Sequence, residues 1–232
     1  ANRVGIYSIM ALFHLVKKMG LTVDEVDKVT GPLIGRPSSA TFRTCDVVGL
    51  DTAVKVAAGI AKNCPDDERR EVFELPDYVD FMVKNNMFGD KSGQGFYKKS
   101  KNEKGERVIL SLDLNDMQYK PSQKVKYASI EALKAFDSVP DRLRSLAKAK
   151  DKMGDFFRQS FWGIFSYVSY RIPEIADDLF RVDAAMNAGF GWEQGPFEAW
   201  DILGVGEQVR QMEENGYSVA AWVKEMLAAG NE

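Results

Sequence analysis

Polar side chains near the start of the chain are the first candidates for chemistry. His14 is the only imidazole, the group that most often transfers protons near neutral pH. At helical spacing it shares a polar stripe with Arg3, Lys17 and Lys18, and no carboxylate lies three or four residues away to orient it. The pattern therefore favours a surface or interface histidine over a catalytic one.

Asn2 lies on a different face of the same predicted helix. At helical spacing that face also carries Ile6, Ile9 and Phe13. The Asn2 carboxamide is therefore predicted to face an apolar surface, where a buried amide needs hydrogen-bond partners. Two interpretations stay open: Asn2 caps the first helical turn, or it donates to a ligand held against the helix start.

Two glycine clusters bear on phosphate binding. Gly189, Gly191 and Gly195 have the spacing GxGxxxG, one residue longer than the dinucleotide-binding pattern, and they follow a helix-like segment instead of a strand. Gly93 and Gly95 lack a third glycine. The sequence therefore predicts no dinucleotide or phosphate cradle within this chain.

A run of aromatic residues at helical spacing could line a ligand groove, but such stripes more often form a core or an interface. Its members are Phe156, Phe157, Phe161, Trp162, Phe165, Tyr167 and Tyr170. The Lys-rich segment 98–104 is interpreted as a solvated hairpin tip.

The elements that would position these residues occur twice. TFRTCDVVGLD at 41–51 returns as PFEAWDILGVG at 196–206. A Val-Asp pair ending at Asp27 precedes the first copy, and a pair ending at Asp183 precedes the second. The chain is therefore predicted to be a tandem repeat of roughly a hundred residues per copy, well beyond the short periods of solenoids.

Two acids recur within the repeat. Asp46 follows Asp27 by 19 positions and Asp201 follows Asp183 by 18, so one insertion reconciles the two copies. Asp46 and Asp201 resemble a carboxylate pair, but they belong to different copies. Each is predicted to cap or pin a helix junction within its own copy.

Composition limits the possible functions. The 232 residues, 45% of them hydrophobic, are enough for two packed halves, and a net charge of −3 offers no general attraction for nucleic acid or an anionic membrane.

Two cysteines and one histidine supply neither a disulfide framework nor a zinc site, so we expect a reducing cytoplasm. No segment has the ~20 apolar residues that span a bilayer. With neither an initiator Met nor a signal peptide, the sequence is interpreted as a piece of a longer, soluble protein.

Periodicity predicts a mainly helical fold. The helices expected in the first copy lie near 2–18, 22–30, 38–49, 51–63 and 76–85. Thr22 and Glu25 have capping-box spacing, and Ser38 or Ser39, then Asp51, are expected to cap the next two helices.

The remaining segments complete the predicted architecture. Residues 91–124 indicate a small β-hairpin and a linker. A long aromatic helix then ends before Pro173, and the helices expected after it lie near 177–188, 195–203, 207–215 and 218–229. Strands do not alternate with helices, so we predict an all-α fold without a parallel nucleotide-binding sheet.

Several motifs in order resemble one family. They are Asn2-Arg3 opening an apolar helix, the acidic stretch 23–27, GRPSSATFRTCDVVGLDT at 35–52, KSGQGFYKK at 91–99 and GPFEAWDILGV at 195–205. Together they resemble the C-terminal helical domain of 3-hydroxyacyl-CoA dehydrogenases, with its Asn-Arg helix start, its GPFELLDYVGLD elbow and its closing K-x-G-x-G-F-Y signature. Two copies joined by a linker are most similar to the multifunctional bacterial fatty-acid oxidation proteins that also carry an enoyl-CoA hydratase.

The resemblance implies a division of roles. The NAD-binding Rossmann domain, with the catalytic His and its Glu partner, would lie upstream, so this chain alone would be inactive and bind no cofactor or metal. Asn2 would hydrogen-bond near the reacting substrate oxygen, and Pro37 would touch the acyl group. Acyl-CoA, the Rossmann domain, a downstream hydratase domain and a second copy of the protein are the expected partners.

Some positions depart from the family pattern. Ala40-Thr41 stands where the family has Gly-Pro, and Ala11 stands where it has a mid-helix Glu. Alignment on Asp183 places Arg158 where the first copy has Asn2, so the second copy is expected to bind no substrate.

The predicted organisation is therefore a substrate-side helical repeat at 1–99, a hairpin and linker at 100–124, and a degenerate helical repeat at 125–232. The implied function is β-oxidation of fatty acids, in which NAD oxidises 3-hydroxyacyl-CoA to 3-oxoacyl-CoA. A purely structural bridging or dimerising role, and the helical domain of another hydroxyacid dehydrogenase such as the 6-phosphogluconate type, stay open as alternatives.

Overall fold

The computed structural model describes residues 1–231, which are mainly helical, as predicted. The α-helices are α1 (Asn2–Met19), α2 (Val23–Val29), α3 (Phe42–Val48), α4 (Leu50–Asn63), α5 (Asp77–Lys84), α6 (Ala128–Ala132), α7 (Val139–Lys148), α8 (Lys152–Tyr170), α9 (Leu179–Phe190), α10 (Pro196–Leu203), α11 (Val205–Glu214) and α12 (Ala221–Ala228). Short 3-10 helices occupy Pro32–Ile34, Arg70–Phe73, Asp90–Ser92 and Leu133–Ala135.

The β-structure of the described chain is one small antiparallel sheet. Its strands, in spatial order, are β1 (Tyr97–Lys101), β2 (Arg107–Leu112) and β3 (Tyr119–Pro121). The predicted hairpin is therefore present, and a third strand, which the sequence pattern did not indicate, pairs with its second strand.

Two compact units divide the described residues. We call residues 9–32 and 38–126 the central unit, and residues 1–8, 33–37 and 127 onward the C-terminal unit. The division into 1–99, 100–124 and 125–232 follows the sequence repeat and stays a prediction.

Capping explains where two helices of the central unit begin. Thr22 accepts a hydrogen bond from the Glu25 N–H while the Glu25 carboxylate accepts one from the Thr22 N–H, so the predicted capping box opens α2. The expectation that Asp51 caps α4 is wrong. Gly49 takes the cap position, because α3 ends there with a φ of 101°, which glycine adopts without a steric penalty. Asp51 lies in the first turn and pairs with Lys91.

The start of α3 also differs from expectation. Thr41, not Ser38 or Ser39, occupies the cap position, and Thr41 makes no side-chain cap bond. The Ser39 hydroxyl instead lies 2.7 Å from the hydroxyl of Thr44. The first N–H groups of α3 are satisfied by a carboxylate of α2, described below.

An aromatic cluster forms the core of the central unit. The Phe42 ring lies 5.7 Å from the Phe13 ring and 4.5 Å from the Phe96 ring, and all three side chains are buried. The Tyr78 hydroxyl donates to the Phe13 carbonyl over 2.9 Å. The cluster therefore joins α1, α3, α5 and the segment that enters β1, and such ring pairs each add about 1 kcal/mol beyond area burial.

The long helix α8 forms the core of the C-terminal unit. Every member of the predicted aromatic stripe except Tyr170 is buried. The Phe165 ring stacks on Trp200 of α10 at 4.9 Å, and the Tyr167 ring stacks on Tyr7 of α1 at 3.7 Å. The interpretation of the stripe as core is confirmed.

Candidate functional site

Asp27 at the end of α2 anchors the start of α3. Its carboxylate accepts hydrogen bonds from the N–H groups of Thr41, Phe42 and Arg43 over 3.1, 2.7 and 2.9 Å. The Tyr97 hydroxyl donates to the same carboxylate over 3.0 Å. Because the first N–H groups of a helix lack intrahelical partners, a carboxylate there satisfies them and complements the helix dipole.

The second copy repeats this arrangement. Asp183 on α9 accepts hydrogen bonds from the N–H groups of Phe197 and Glu198 at the start of α10, both over 2.9 Å. Gly195 permits the close approach, since a Cβ there would lie 2.3 Å from the Cβ of Asp183. The repeated motifs therefore correspond to one structural unit used twice, in which an acid of one helix caps the next.

Asp46 pins the segment that enters β1 to α3, and not a helix junction as the sequence predicted. The buried carboxylate accepts hydrogen bonds from the N–H groups of Phe96 and Tyr97, each over 2.8 Å. A Cβ on Gly95 would lie 2.0 Å from this carboxylate, and one on Gly89 would lie 2.2 Å from the Asp46 carbonyl oxygen. Gly95 of the KSGQGFYKK motif and Gly89, just before the motif, therefore allow the segment to pack closely on Asp46.

Burial governs the titration of these acids. It raises the pKa of Asp27 to about 6 and that of Asp46 to about 6, although their hydrogen bonds act in the opposite direction. Burial also raises the pKa of Asp183 and of Asp201. Asp201 is nevertheless exposed, so the pinning role expected for it by analogy with Asp46 is not seen.

The structure places the two predicted substrate residues, Asn2 and Pro37, in the C-terminal unit. Both are exposed. Ile6 and Phe13, on the helical face predicted to lie beside Asn2, are buried, but Asn2 itself is not covered by them. The expectation that its amide is buried against an apolar surface is therefore wrong for the described residues.

The start of α1, which carries Asn2, is held by side chains of the C-terminal unit. Arg3 donates to the Tyr167 hydroxyl over 2.7 Å and to the Glu174 carboxylate over 2.9 Å. Gly5 is buried beneath the ring of Phe190. These contacts fix the first turn of α1 immediately after Asn2.

Arg36 fixes the loop that carries Pro37. Its guanidinium lies 3.9 Å from the ring centre of Trp192 and 5.6 Å from that of Phe161. Burial lowers the pKa of Arg36 to about 9, so the side chain stays cationic at neutral pH. Cation–π contacts of this kind are worth about 2 kcal/mol when desolvated.

Arg158, the counterpart of Asn2 in the second copy, has a different setting. α8 begins at Lys152, so Arg158 does not lie at a helix start. Its guanidinium donates to the carbonyls of Ala147 and Ala149 over 2.8 and 2.6 Å and pairs with Asp155. Arg158 therefore holds the C-terminal end of α7, where a cation complements the helix dipole.

His14 makes contacts with backbone groups. Its Nε2 lies 3.2 Å from the Val72 carbonyl and 3.0 Å from the Glu74 carbonyl. The ring therefore ties α1 to the 3-10 helix Arg70–Phe73 and to Glu74, the residue after it.

The sequence analysis used Asp27 only to align the two copies, and it did not single out Tyr97 or Arg36. The recurrence of Asp27 as Asp183 was the signal that could have assigned its capping role. Arg36 carries no such signal, because its partner Trp192 lies far away in the sequence and follows no shared periodicity.

Groups for a metal or a dinucleotide do not assemble in the described part of the chain. Residues 1–231 contain no cluster of three His, Cys, Asp or Glu side chains suited to a metal ion. Their single antiparallel sheet provides no strand, glycine turn and helix of the dinucleotide-binding kind. Within the same residues no helix has the length and apolar character to cross a bilayer.

A cavity of about 1040 Å³ opens in the central unit. Ser38, Arg43, Tyr97, Lys98 and Ile109 are among the residues that line it. Neither Asn2 nor Pro37 lines this cavity.

Comparison with known proteins agrees with the motifs. The family model described as the C-terminal domain of 3-hydroxyacyl-CoA dehydrogenase matches residues 1–99. The match covers somewhat less than half of the 232 residues. The 3-hydroxyacyl-CoA dehydrogenase resemblance drawn from the motifs is thus confirmed.

Two of three relatives extend the similarity well beyond residues 1–99. A probable 3-hydroxyacyl-CoA dehydrogenase of Bacillus subtilis is 41% identical over 236 residues, which cover 100% of this chain and 29% of the relative. One of Deinococcus radiodurans is 51% identical over 104 residues, or 45% of this chain and 29% of the relative. A putative fatty acid oxidation complex trifunctional enzyme of Rickettsia prowazekii is 25% identical over 203 residues, or 87% of this chain and 26% of the relative. The chain therefore spans less than a third of the length of these relatives.

A solved structure shows the same fold. The crystal structure of 3-hydroxybutyryl-CoA dehydrogenase from Escherichia coli matches with a TM-score of 0.65 and 15% identity, covering 100% of this chain and 60% of that chain. The predicted mainly helical architecture with a small hairpin is confirmed.

Proposed function

We propose that this chain is the C-terminal part of an NAD-dependent 3-hydroxyacyl-CoA dehydrogenase of fatty-acid β-oxidation. The observation that supports this most is the family match over residues 1–99, which contain both Asn2 and Pro37. The Bacillus subtilis relative, similar over the whole chain, supports the same reaction for the longer protein. The product would be 3-oxoacyl-CoA.

Asn2 is proposed to orient the substrate. Its exposed carboxamide at a fixed helix end offers an N–H donor to the substrate oxygen at C3, on which charge changes during oxidation. A positioned donor of this kind is typically worth about 3 kcal/mol of transition-state stabilisation. Pro37 is proposed to contact the acyl group, since it is exposed and its ring offers an apolar surface.

The described residues do not fit NAD, because they contain no dinucleotide-binding unit. We therefore propose that NAD, the catalytic His and its Glu partner belong to a Rossmann domain outside this chain, and that residues 1–232 alone are inactive. The proposed setting is the cytoplasm.

The proposed partners are the Rossmann domain, a second copy of the protein and an enoyl-CoA hydratase domain. The Rickettsia prowazekii relative is a putative fatty acid oxidation complex trifunctional enzyme, which supports a multifunctional protein.

A substrate panel separates this proposal from its alternatives. The full-length protein would be given NAD and either 3-hydroxyacyl-CoA thioesters of several chain lengths or 6-phosphogluconate, and NADH formation would be followed by absorbance. We expect turnover of the thioesters alone. Turnover of the sugar acid would favour another hydroxyacid dehydrogenase, and no turnover of either would favour a purely structural role.

A further inference from the structure

Five consecutive residues of the second copy contact both elements that carry the proposed substrate residues. This segment, 189–193, spans the end of α9 and the loop after it. All of its partners belong to the C-terminal unit.

The first two residues of the segment meet the start of α1. A Cβ on Gly189 would lie 2.7 Å from the Cβ of Ala1, so the end of α9 lies close to the residue before α1. The Phe190 ring packs on Gly5 so closely that a Cβ on Gly5 would lie 2.0 Å from it. Ala1 and Gly5 flank Asn2 and are joined by the first backbone hydrogen bond of α1, 2.9 Å long.

The next residues of the segment meet the loop that carries Pro37, in antiparallel order. A Cβ on Gly191 would lie 3.2 Å from Cγ of Pro37. Trp192 stacks on Arg36, with 3.9 Å between guanidinium and ring centre.

The last residue of the segment completes this pairing. The Glu193 N–H donates to the carbonyl of Gly35 over 2.7 Å. Three neighbouring residues of one loop therefore contact three neighbouring residues of the other, so segment 189–193 contacts both the loop 35–37 and the start of α1.

Glycines allow the segment 189–193 to approach both the loop and the start of α1 closely. Gly191 ends α9 in the left-handed conformation, with φ 64° and ψ 30°, the usual helix-ending role of glycine. Its missing side chain also leaves room for Pro37. A Cβ at 189 would force Ala1 or the end of α9 to shift, and a Cβ at 191 would press on Pro37 by a few tenths of an ångström.

We propose that the turn Gly189–Gly191 of the second copy is a positioning element that sets the distance between Asn2 and Pro37 and thereby the fit of the acyl-CoA substrate. This inference rests on the proposed function and gives the degenerate copy a role in the reaction without a substrate site of its own. Displacing a substrate-orienting group by about 1 Å lowers the rate by roughly a hundredfold.

Glycine variants of the full-length protein, each with a matched control, test the proposed positioning role of Gly189–Gly191. Gly191→Ala is compared with Gly216→Ala, because Gly216 also follows a helix at positive φ, 80°, but a Cβ there has nothing within 4 Å. Gly189→Ala is compared with Gly59→Ala, a helical glycine with nothing within 4 Å of an added Cβ.

We expect both turn variants to lower kcat/KM for 3-hydroxyacyl-CoA by about tenfold or more relative to their controls, with KM for NAD unchanged. The loss caused by Gly191→Ala should shrink when Pro37→Ala removes the ring atom that the new Cβ would meet. If one turn variant fails to fold, the other pair still decides the question.

Two results would overturn the inference, and they are distinguishable. Wild-type protein that does not oxidise 3-hydroxyacyl-CoA would remove the proposed function and the inference with it. Wild-type activity that is lost in Asn2→Ala but retained in both turn variants, at the level of their controls, would leave the proposed function standing and overturn the inference alone.

Discussion

The Asp27 carboxylate accepts a hydrogen bond from the backbone N–H of Phe42 over 2.7 Å, although the two residues are 15 positions apart. In the second copy Asp183 and Phe197 form the same contact over 2.9 Å across 14 positions. A residue that precedes a helix usually caps it. Here a distant acid caps it, so each copy joins two helices through one charged group.

Removing these acids should destabilise the protein to different extents. Asp27→Ala leaves three N–H groups and the Tyr97 hydroxyl without an acceptor, and we expect a loss of about 3 kcal/mol in the free energy of unfolding. Asp183→Ala removes the acceptor of two N–H groups on a more exposed helix start, for which about 1.5 kcal/mol is expected. Urea unfolding of both variants checks the order, and an equal or larger loss for Asp183→Ala would contradict it.

The raised pKa of Asp46 predicts a specific pH dependence. Its pKa rises from an ordinary 3.8 to about 6 on folding, so between these values the folded state binds more protons than the unfolded state. The contribution of this group to stability is therefore full below about pH 4 and is lost as the pH rises to about 6. Asp46→Asn removes the titration. The free energy of unfolding of wild type minus that of Asp46→Asn should fall from pH 4 to pH 6, and a rise over that range would show that the pKa is lowered instead.

The contacts of Arg158 predict a structural role for the position that corresponds to Asn2 in the second copy. Arg158→Asn, which introduces the residue found at the corresponding position of the first copy, removes the guanidinium from the carbonyls of Ala147 and Ala149. We expect about 2 kcal/mol of lost stability and no second substrate site. Arg144→Ala serves as the control, since the Arg144 side chain is half exposed. Calorimetry and equilibrium binding of acyl-CoA measure the two quantities, and a second binding site would contradict the assignment.

Local patterns predicted most of the helices for physical reasons that the structure confirms. The Thr22 and Glu25 side chains cap α2 because their spacing matches one helical turn. The stripe from Phe156 to Tyr167 is buried because its members recur at helical spacing.

Non-local contacts were not predictable from the same patterns. Asp51 failed as a cap because Gly49 ends one helix and starts the next with no intervening residue. The placement of residues 33–37 in the C-terminal unit depends on contacts such as that of Arg36 with Trp192, which no period in the sequence connects. Asp201 is exposed although it occupies the repeat position of Asp46, so repeat position alone does not predict burial.

Asn2→Ala in the full-length protein tests the central claim most directly, namely that the start of α1 presents the group that orients the substrate. Steady-state oxidation of 3-hydroxyacyl-CoA with NAD is the measurement, and Asn63→Ala, at an exposed helix end of the central unit, is the matched control. The account predicts that kcat/KM for the thioester falls by roughly a hundredfold or more, with KM for NAD and Tm unchanged. Turnover equal to that of Asn63→Ala would contradict it.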